Sequence, residues 1–494
     1  MNHTARISPL AAITLVLLMV FHSSTLYSQS SVAVKLAAYI DELQRDKDLL
    51  GASLSFKVVD LASGAKIASY RSDTRLIPAS IQKLLTTGAG FIVLGKQHTF
   101  NTLLASSGTV SDSVFTGKIY LVGGGDPCFG SESFERTVPD SVFTRFAHAL
   151  KRKGINKIHG KIIPVAAGLA SERAHPSWEW EDIGAYYGAG VSSLNFCENS
   201  FDITLKASDM LPENLSISGN FPFDLSLTSS LIPVHRDSSC TAAVYSSPTC
   251  STVYYLEGEV PSSGKEYKLS AALRNPEAES AFCFARFLEN HGFSGGFTAS
   301  EPIFVEPKEQ LTEIFTEISP EYSDIALKTN VYSNNIYADA IFKAVSKSLT
   351  GESTYEKSAR ALASVFKSLG LDVDKIRITD GSGLSRRNLM TADFMCDYLR
   401  AITQVIPDFE NYIPYPGGEG TLKNFMLGHR ARSRIRLKSG SMNGVLNYAG
   451  YIKNKQGKTL CFTVMVNNFT CKTAVIRKKI EQIVEIVAEN SLSN

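Results

Sequence analysis

Apolar and polar positions alternate along this chain with a period that changes from segment to segment. From Val34 to Leu50 the apolar residues Leu36, Ile40, Leu43 and Leu50 recur at helical spacing, and Gly51 ends the run. Leu54, Phe56 and Val58 then alternate with polar residues as a strand, Leu61 to Gly64 forms a turn, and Lys66 to Tyr70 returns, which predicts a helix followed by a hairpin. The far end of the chain reads as a matching half. Strand patterns over Tyr448–Ile452 and Thr459–Val466 surround a turn at Lys453–Gly457. A helix from about Cys471 to Asn490 puts Ile476, Ile480, Ile483, Val484 and Val487 on one face. Two ends that belong to one α/β sandwich predict a discontinuous domain with material inserted between them.

The middle has a different texture. Thr99 to Pro307 is rich in short β-like runs, Ser, Thr and Gly, and it carries a faint internal echo. Pro139-Asp140 opens a helical run that ends at Gly154 and continues to Gly160-Lys161-Ile162. Pro276-Glu277 opens a second that ends at Gly292 and continues through Gly295-Gly296-Phe297. These two helix–turn–strand units flank a Ser/Thr-rich strand pattern over Phe201 to Lys265. The expectation is an insertion holding a further all-β insertion; the competing reading of the echo is coincidence between two ordinary helix ends.

The first thirty residues set the expected address. A polar start carrying Arg6 precedes a nearly continuous apolar run from Leu10 to Phe21, followed by Ser23, Ser24, Ser28 and Ser30. Twelve such positions are short for a membrane anchor and suit a signal peptide over residues 1–28, cleaved near Ser28–Gln29; the competing reading is a buried core helix. No Cys lies near that junction, which argues against a lipid anchor, and no later run is long enough to span a membrane.

Composition narrows the class. Of 494 residues, 44% are hydrophobic and 20% charged, which excludes general disorder. Fifty Lys and Arg against 48 Asp and Glu leave no basic excess for a nucleic acid. Eight Cys in an exported chain permit disulfides, with Cys240 and Cys250 closest in sequence, but Cys283 and Cys461 lie in apolar runs and read as small buried hydrophobes. No CxxC, HExxH or spaced Cys/His cluster supports a metal site.

The strongest chemical signal is Ser80-Ile81-Gln82-Lys83, directly before an apolar helical stretch. Three residues on a helical start put Ser and Lys on one face, where a Lys of lowered pKa serves the hydroxyl as base. The same residues also fit a plain helix cap. Ser333-Asn334-Asn335 precedes another amphipathic helix (Ile336, Ile341, Val345, Leu349), and Lys438-Ser439-Gly440-Ser441 follows the basic run Arg432–Arg436. The order SxxK, SxN, KSG is the signature of penicillin-recognising serine acyl enzymes. Ser333 relays a proton to the leaving amine in this reading, and Asn335 holds a substrate amide. Lys438 and Ser439 meet a carboxylate, and Gly440 lets a strand approach closely.

With further stretches added, the chain resembles the low-molecular-mass class C penicillin-binding proteins, the D-alanyl-D-alanine carboxypeptidase/endopeptidases. Leu121-Val-Gly-Gly-Gly-Asp-Pro127 is similar to that family's GGGDP segment. Trp178-Glu-Trp-Glu-Asp182 through Tyr186-Tyr-Gly-Ala189 and Ser192-Ser-Leu-Asn195 resembles its WxWxD…YGAxVSALN block. Asp380-Gly-Ser-Gly-Leu-Ser-Arg386 and Gly418-Glu-Gly-Thr-Leu422 resemble its DGSGLSR and GTL segments. The likeness spans nearly the whole chain after the signal and is weakest over about 199–267. Lys438-Ser439-Gly440 stands where KTG is commonest; Ser keeps the hydroxyl and loses a methyl.

The resemblance implies a transpeptidase/β-lactamase-like α/β domain, an antiparallel sheet flanked by helices, over 29–100 and 308–494. It is split by two nested, mostly β domains over 101–198 with 268–307, and over 199–267. It implies Ser80 as nucleophile, Lys83 as base, and the backbone N–H groups of Ser80 and Ser441 as oxyanion hole. Asp182 resembles the acidic residue that recognises the amino end of a stem-peptide side chain, with Tyr187, Arg386 and Asn443 lining that pocket. Trp178 and Trp180 read as a substrate rim or as core, and the GGGDP glycines as a turn. The expected protein is a periplasmic or otherwise extracytoplasmic serine DD-peptidase. It acts on peptidoglycan stem peptides, is acylated by β-lactams at Ser80, and needs no cofactor. Competing readings are a β-lactamase or esterase with the same triad, and a non-catalytic peptidoglycan-binding protein.

Overall fold

The computed structural model describes residues 32–247 and 252–489. The expected signal peptide and Cys250 lie outside them. The chain forms two compact units. One comprises the described residues up to Leu76, Met390–Ala401, and the described residues from Ile413 onward; the other comprises Ile77–Leu389 and Ile402–Tyr412.

The first unit is built on a five-stranded antiparallel sheet ordered Ile435–Met442, Val445–Lys453, Thr459–Asn467, Ser53–Asp60, Lys66–Tyr70. The amino-terminal hairpin thus joins the carboxy-terminal strands, as the matching patterns of the two ends predict. Register explains the period-two signal: Leu54, Phe56 and Val58 stand opposite Val466, Val464 and Phe462, and all six enter one core. Helices Val32–Gln44 and Thr473–Glu489 supply Leu36, Ile40 and Leu43, and Ile476, Ile480, Ile483, Val484 and Val487, to that core. The apolar face of the carboxy-terminal helix is therefore core. Among the described residues no helix is long and apolar enough to cross a membrane.

One expected helical position moves. The first helix ends at Gln44, Asp46 accepts the Asp48 N–H at 2.8 Å to start a separate short turn, and Leu50 is 85% exposed. The stretch Arg45–Asp48 offers no apolar side chain to carry the helix along the core.

The second unit holds the echo. Helices Pro139–Arg152 and Pro276–Asn290 each begin with Pro in the first turn, and Gly154 (φ 77°) and Gly292 (φ 83°) follow them in the left-handed region. The strands after them, Lys157–Val165 and Phe297–Ala299, lie side by side and parallel. They belong to a five-stranded sheet ordered Phe297–Ala299, Lys157–Val165, Val114–Gly123, Asn101–Ser111, Thr312–Ile318. Its core joins Phe143, Phe146, Phe284, Ile158 and Ile162. The described residues between Phe201 and Lys265 form short strands in smaller sheets around a separate core of Ile203, Leu205, Tyr254, Leu256 and Val260.

Helices Lys83–Val93, Tyr322–Tyr332, Asn335–Thr350 and Tyr355–Ser368 pack together in the same unit. Gly90, costly inside a helix, admits Tyr322: a Cβ there would lie 2.1 Å from the phenol oxygen, which donates to Thr87 O at 2.6 Å. Ile336, Ile341 and Val345 are buried as their spacing predicts, whereas Leu349, in the last turn, is 49% exposed. The seven described cysteines are free thiols.

Candidate active site

Ser80 sits on a tight turn, Ala79–Gln82, that runs straight into the Lys83–Val93 helix. Ala79 holds a left-handed backbone (φ 47°) with Gly383 against its carbonyl, where a Cβ would come within 2.1 Å. The turn is tied to the 380–388 segment. Gln82 Nε2 donates to Asn388 Oδ1 at 3.1 Å and to the Asp380 carbonyl, and Thr86 Oγ1 donates to Gly381 O at 2.6 Å.

Lys83 is fully buried. Its Nζ lies 2.9 Å from Ser80 Oγ, 2.7 Å from Asn335 Oδ1 and 2.6 Å from Ser382 O. Burial pushes its pKa down to about 7, against the opposing pull of the Asp339 and Asp380 carboxylates. A neutral Lys83 has two N–H groups and one lone pair. Asn335 Oδ1 and Ser382 O take the two N–H groups, and the lone pair is left for the Ser80 hydroxyl. Asp339, fully buried, is pushed up by its own desolvation and accepts the Gly381 and Ser382 N–H groups at 2.8 and 3.2 Å. It thereby fixes the carbonyl that orients Lys83.

The segment from Asp380 wraps around its own carboxylate. Oδ1 accepts from Gly383 N and Asn388 Nδ2, each at 2.8 Å, and Oδ2 from Ser385 N at 2.7 Å and Trp178 Nε1 at 2.8 Å. Trp178 is thus a buried strut, while Trp180 is 64% exposed and stacks on Tyr245 at 4.5 Å.

Ser333 adopts the left-handed conformation (φ 58°) that ends the Tyr322–Tyr332 helix, and Asn334 caps the next by accepting the Tyr337 N–H at 3.1 Å. That break delivers Asn335 to Lys83. Asn335 Nδ2 also donates to Tyr187 O at 2.8 Å, linking the cluster to the Trp180–Ile183 and Tyr186–Gly188 turns. There the Tyr187 hydroxyl bonds to the half-buried Asp182 carboxyl, which burial first and then Glu179 push up to about 6, with Arg386 opposing. Arg386 Nε pairs with Glu179 Oε1 at 2.8 Å.

The structure therefore brings together Ser80, Lys83 and Asn335 directly, and Asp182 with Tyr187. Lys438, Ser439, Gly440 and Ser441 belong to the other unit, on its edge strand Ile435–Met442. There Lys438 is buried and donates to Ser439 O at 2.8 Å, and Ser439 Oγ donates to Thr421 Oγ1 at 2.9 Å. Asn443 forms a two-residue Asn-Gly hairpin turn with Gly444 (φ 69°). The first glycine of the GGGDP segment ends the Val114–Gly123 strand, and the expected turn begins only at Pro127; Asp126 is buried and accepts the Cys128 N–H at 2.8 Å.

Sequence reading overlooked Asp339 and Gln82. Asp339 carried one usable signal, its i+4 spacing from Asn335 on the same helix; Gln82 carried none. Among the described residues no group of three or more His, Cys, Asp or Glu is placed to hold a metal ion.

Residues 36–490 match the D-Ala-D-Ala carboxypeptidase 3 (S13) family. The chain belongs to that family.

Membership makes it an enzyme of the serine-type D-Ala-D-Ala carboxypeptidase class, a hydrolase. It is 27% identical over 455 residues to the D-alanyl-D-alanine carboxypeptidase of Actinomadura sp. (strain R39), covering 87% of this chain and 80% of that protein. Its fold matches penicillin binding protein 4 (dacB) from Haemophilus influenzae with a TM-score of 0.79 at 23% identity, over 90% of this chain and 97% of that one. The same protein complexed with a novel β-lactam matches with a TM-score of 0.74 at 22% identity, over 90% and 97%. These likenesses establish the penicillin-binding, β-lactamase-like fold, and with it the α/β class expected from sequence.

Proposed function

We propose that this S13 member is an exported serine DD-peptidase. It hydrolyses D-alanyl-D-alanine termini, D-alanyl cross-links, or both, in peptidoglycan stem peptides through an acyl-enzyme on Ser80. One observation carries the reading: a fully buried Lys83 amine 2.9 Å from the Ser80 hydroxyl, its pKa lowered to about 7. Ser80 Oγ attacks the carbonyl carbon of a D-alanine while its proton passes to Lys83 Nζ. The C–N bond then breaks, and the leaving amine takes a proton by way of Ser333. Water hydrolyses the ester, regenerating Ser80 and releasing the shortened peptide. A D-alanine leaving group makes the reaction a carboxypeptidase step, and the side-chain amine of a neighbouring stem peptide makes it an endopeptidase step.

Asp182, Tyr187, Arg386 and Asn443 are assigned to the stem-peptide side chain. The KSG motif assigns Lys438, Ser439 and Gly440 to the substrate's carboxylate and backbone, and Ser441, with Ser80, to the oxyanion. β-Lactams acylate Ser80 in this reading, which the relative's β-lactam complex supports. The signal-like amino terminus supports export to the periplasm or cell-wall space. Separate cores support inserted domains over 101–198 with 268–307, and over 199–267.

The test is mass spectrometry of purified muropeptide monomers and cross-linked dimers after incubation with the mature protein, with Ser80→Ala alongside. Loss of a terminal D-alanine, or conversion of dimers to monomers, with intact Ser80 alone supports the reading. No Ser80-dependent change in either overturns it.

A further inference from the structure

Beside Asn335 lies a pocket of about 210 Å³ walled by Tyr186, Tyr187, Glu198, Lys328, Tyr332 and Asn335. It has room for several waters at ~30 Å³ each in the liquid. Its two charged walls are in different states. Cys197, Glu198 and Asn199 all hold left-handed backbone (φ 51°, 53° and 49°), an unfavourable run for residues other than glycine. The Glu198 carboxylate holds that run in place. Oε1 accepts from Ser131 Oγ, Ser133 Oγ and Tyr337 Oη at 2.5, 2.7 and 2.9 Å, and Oε2 from Asn334 Nδ2 at 2.7 Å. The negative charge is dispersed over four donors that tie the wall to the turn carrying Asn335, and only Oε2 keeps acceptor capacity.

Lys328 is half-buried, and among the described residues none of its N–H groups meets an acceptor. Its Nζ stands 5.0 Å from the Tyr332 ring centre and 5.9 Å from that of Phe134, and among the described residues no carboxylate pairs with it. A ring face attracts a cation without using its hydrogen-bond donors. The pocket therefore presents a cation with open donors on one wall and a single open carboxylate lone pair on the other.

We propose that this pocket binds a free carboxylate of the peptide substrate on Lys328, with the adjoining amide or amine N–H turned to Glu198 Oε2. It is a subsite that selects peptide carrying an unamidated carboxylate where it passes Asn335. This rests on the stem-peptide reading above.

The test measures equilibrium binding to the Ser80→Ala chain, which does not turn over. The probes are stem peptides identical except that each carboxylate in turn is a carboxamide. For one of these carboxylates, the free form binds about tenfold more tightly than the amide, the scale of one hydrogen bond to a charged group. Adding Lys328→Ala brings that ratio to near one, and Lys328→Arg retains it. A ratio near one for every carboxylate but the terminal one, which Lys438 takes in the reading above, or a ratio at such a carboxylate that survives Lys328→Ala, overturns the proposal. A merely structural role for Lys328 lowers both affinities and leaves the ratio intact, which also overturns it. Because the readout is binding, absence of turnover by the intact chain counts against the peptidase reading alone.

Discussion

In the proposed reaction Lys83 serves Ser80 only as a neutral amine, so acylation carries a pH signature. An ordinary lysine, with a pKa near 10.4, is neutral in fewer than about one molecule in a thousand at pH 7. With its pKa lowered to about 7, Lys83 is neutral in about half, a gain on the order of 10³ in competent enzyme. Below that point the ammonium donates all three of its N–H groups and offers no lone pair to the Ser80 proton. The second-order rate constant for acylation by penicillin, followed from about pH 5 to pH 9, therefore rises about tenfold per unit up to roughly 7 and then levels. Asp339 is pushed up by the same burial, so the limb belongs to the pair as a unit. Asp339→Asn removes a negative charge that favours the ammonium, so the limb moves to lower pH. Lys83→Arg, cationic throughout this range, loses about 10³-fold or more and the limb with it. A profile flat from about pH 5 to 9, or a limb that rises only near pH 10, refutes the assignment of Lys83 as base.

Arg173 pairs with the fully buried Glu277 at 2.7 Å through both carboxylate oxygens, so Arg173→Ala leaves an uncompensated buried charge and costs roughly 3–5 kcal/mol. Urea unfolding reads this as a lowered midpoint that Glu277→Leu added to the same chain largely restores; a single variant as stable as the parent refutes it. Asp182 is pushed up to about 6, so it is neutral below that pH where an ordinary carboxyl is still charged. On the proposed assignment of Asp182 to the stem-peptide side chain, preference for a substrate with a free side-chain amine over its acetylated form, read as a ratio of KM values, grows as pH rises through about 6. That preference is absent in Asp182→Asn.

Local spacing alone made much of this protein legible. Leu54, Phe56 and Val58 declared a strand, and Ile476 to Val487 a helix face, because backbone geometry sets side-chain direction every two or 3.6 residues. Ser80 and Lys83 were legible as a pair for the same reason, being one turn apart. Leu50 and Leu349 show the limit: each fits a helical spacing, yet both are exposed, because spacing does not say where a helix ends or how far its neighbours extend. The partners of Lys83 lie 252 and 299 residues away at Asn335 and Ser382, and Trp178 reaches Asp380 across 202 residues. No local pattern encodes such contacts; the i+4 spacing of Asp339 from Asn335 marked a shared helix face but not what that face meets. The residue types, their order and the elements that carry them were set by the sequence alone. Only the tertiary structure decided that Lys83 is enclosed, and enclosure is what lowers its pKa, because an ammonium deprived of water is costlier than a neutral amine.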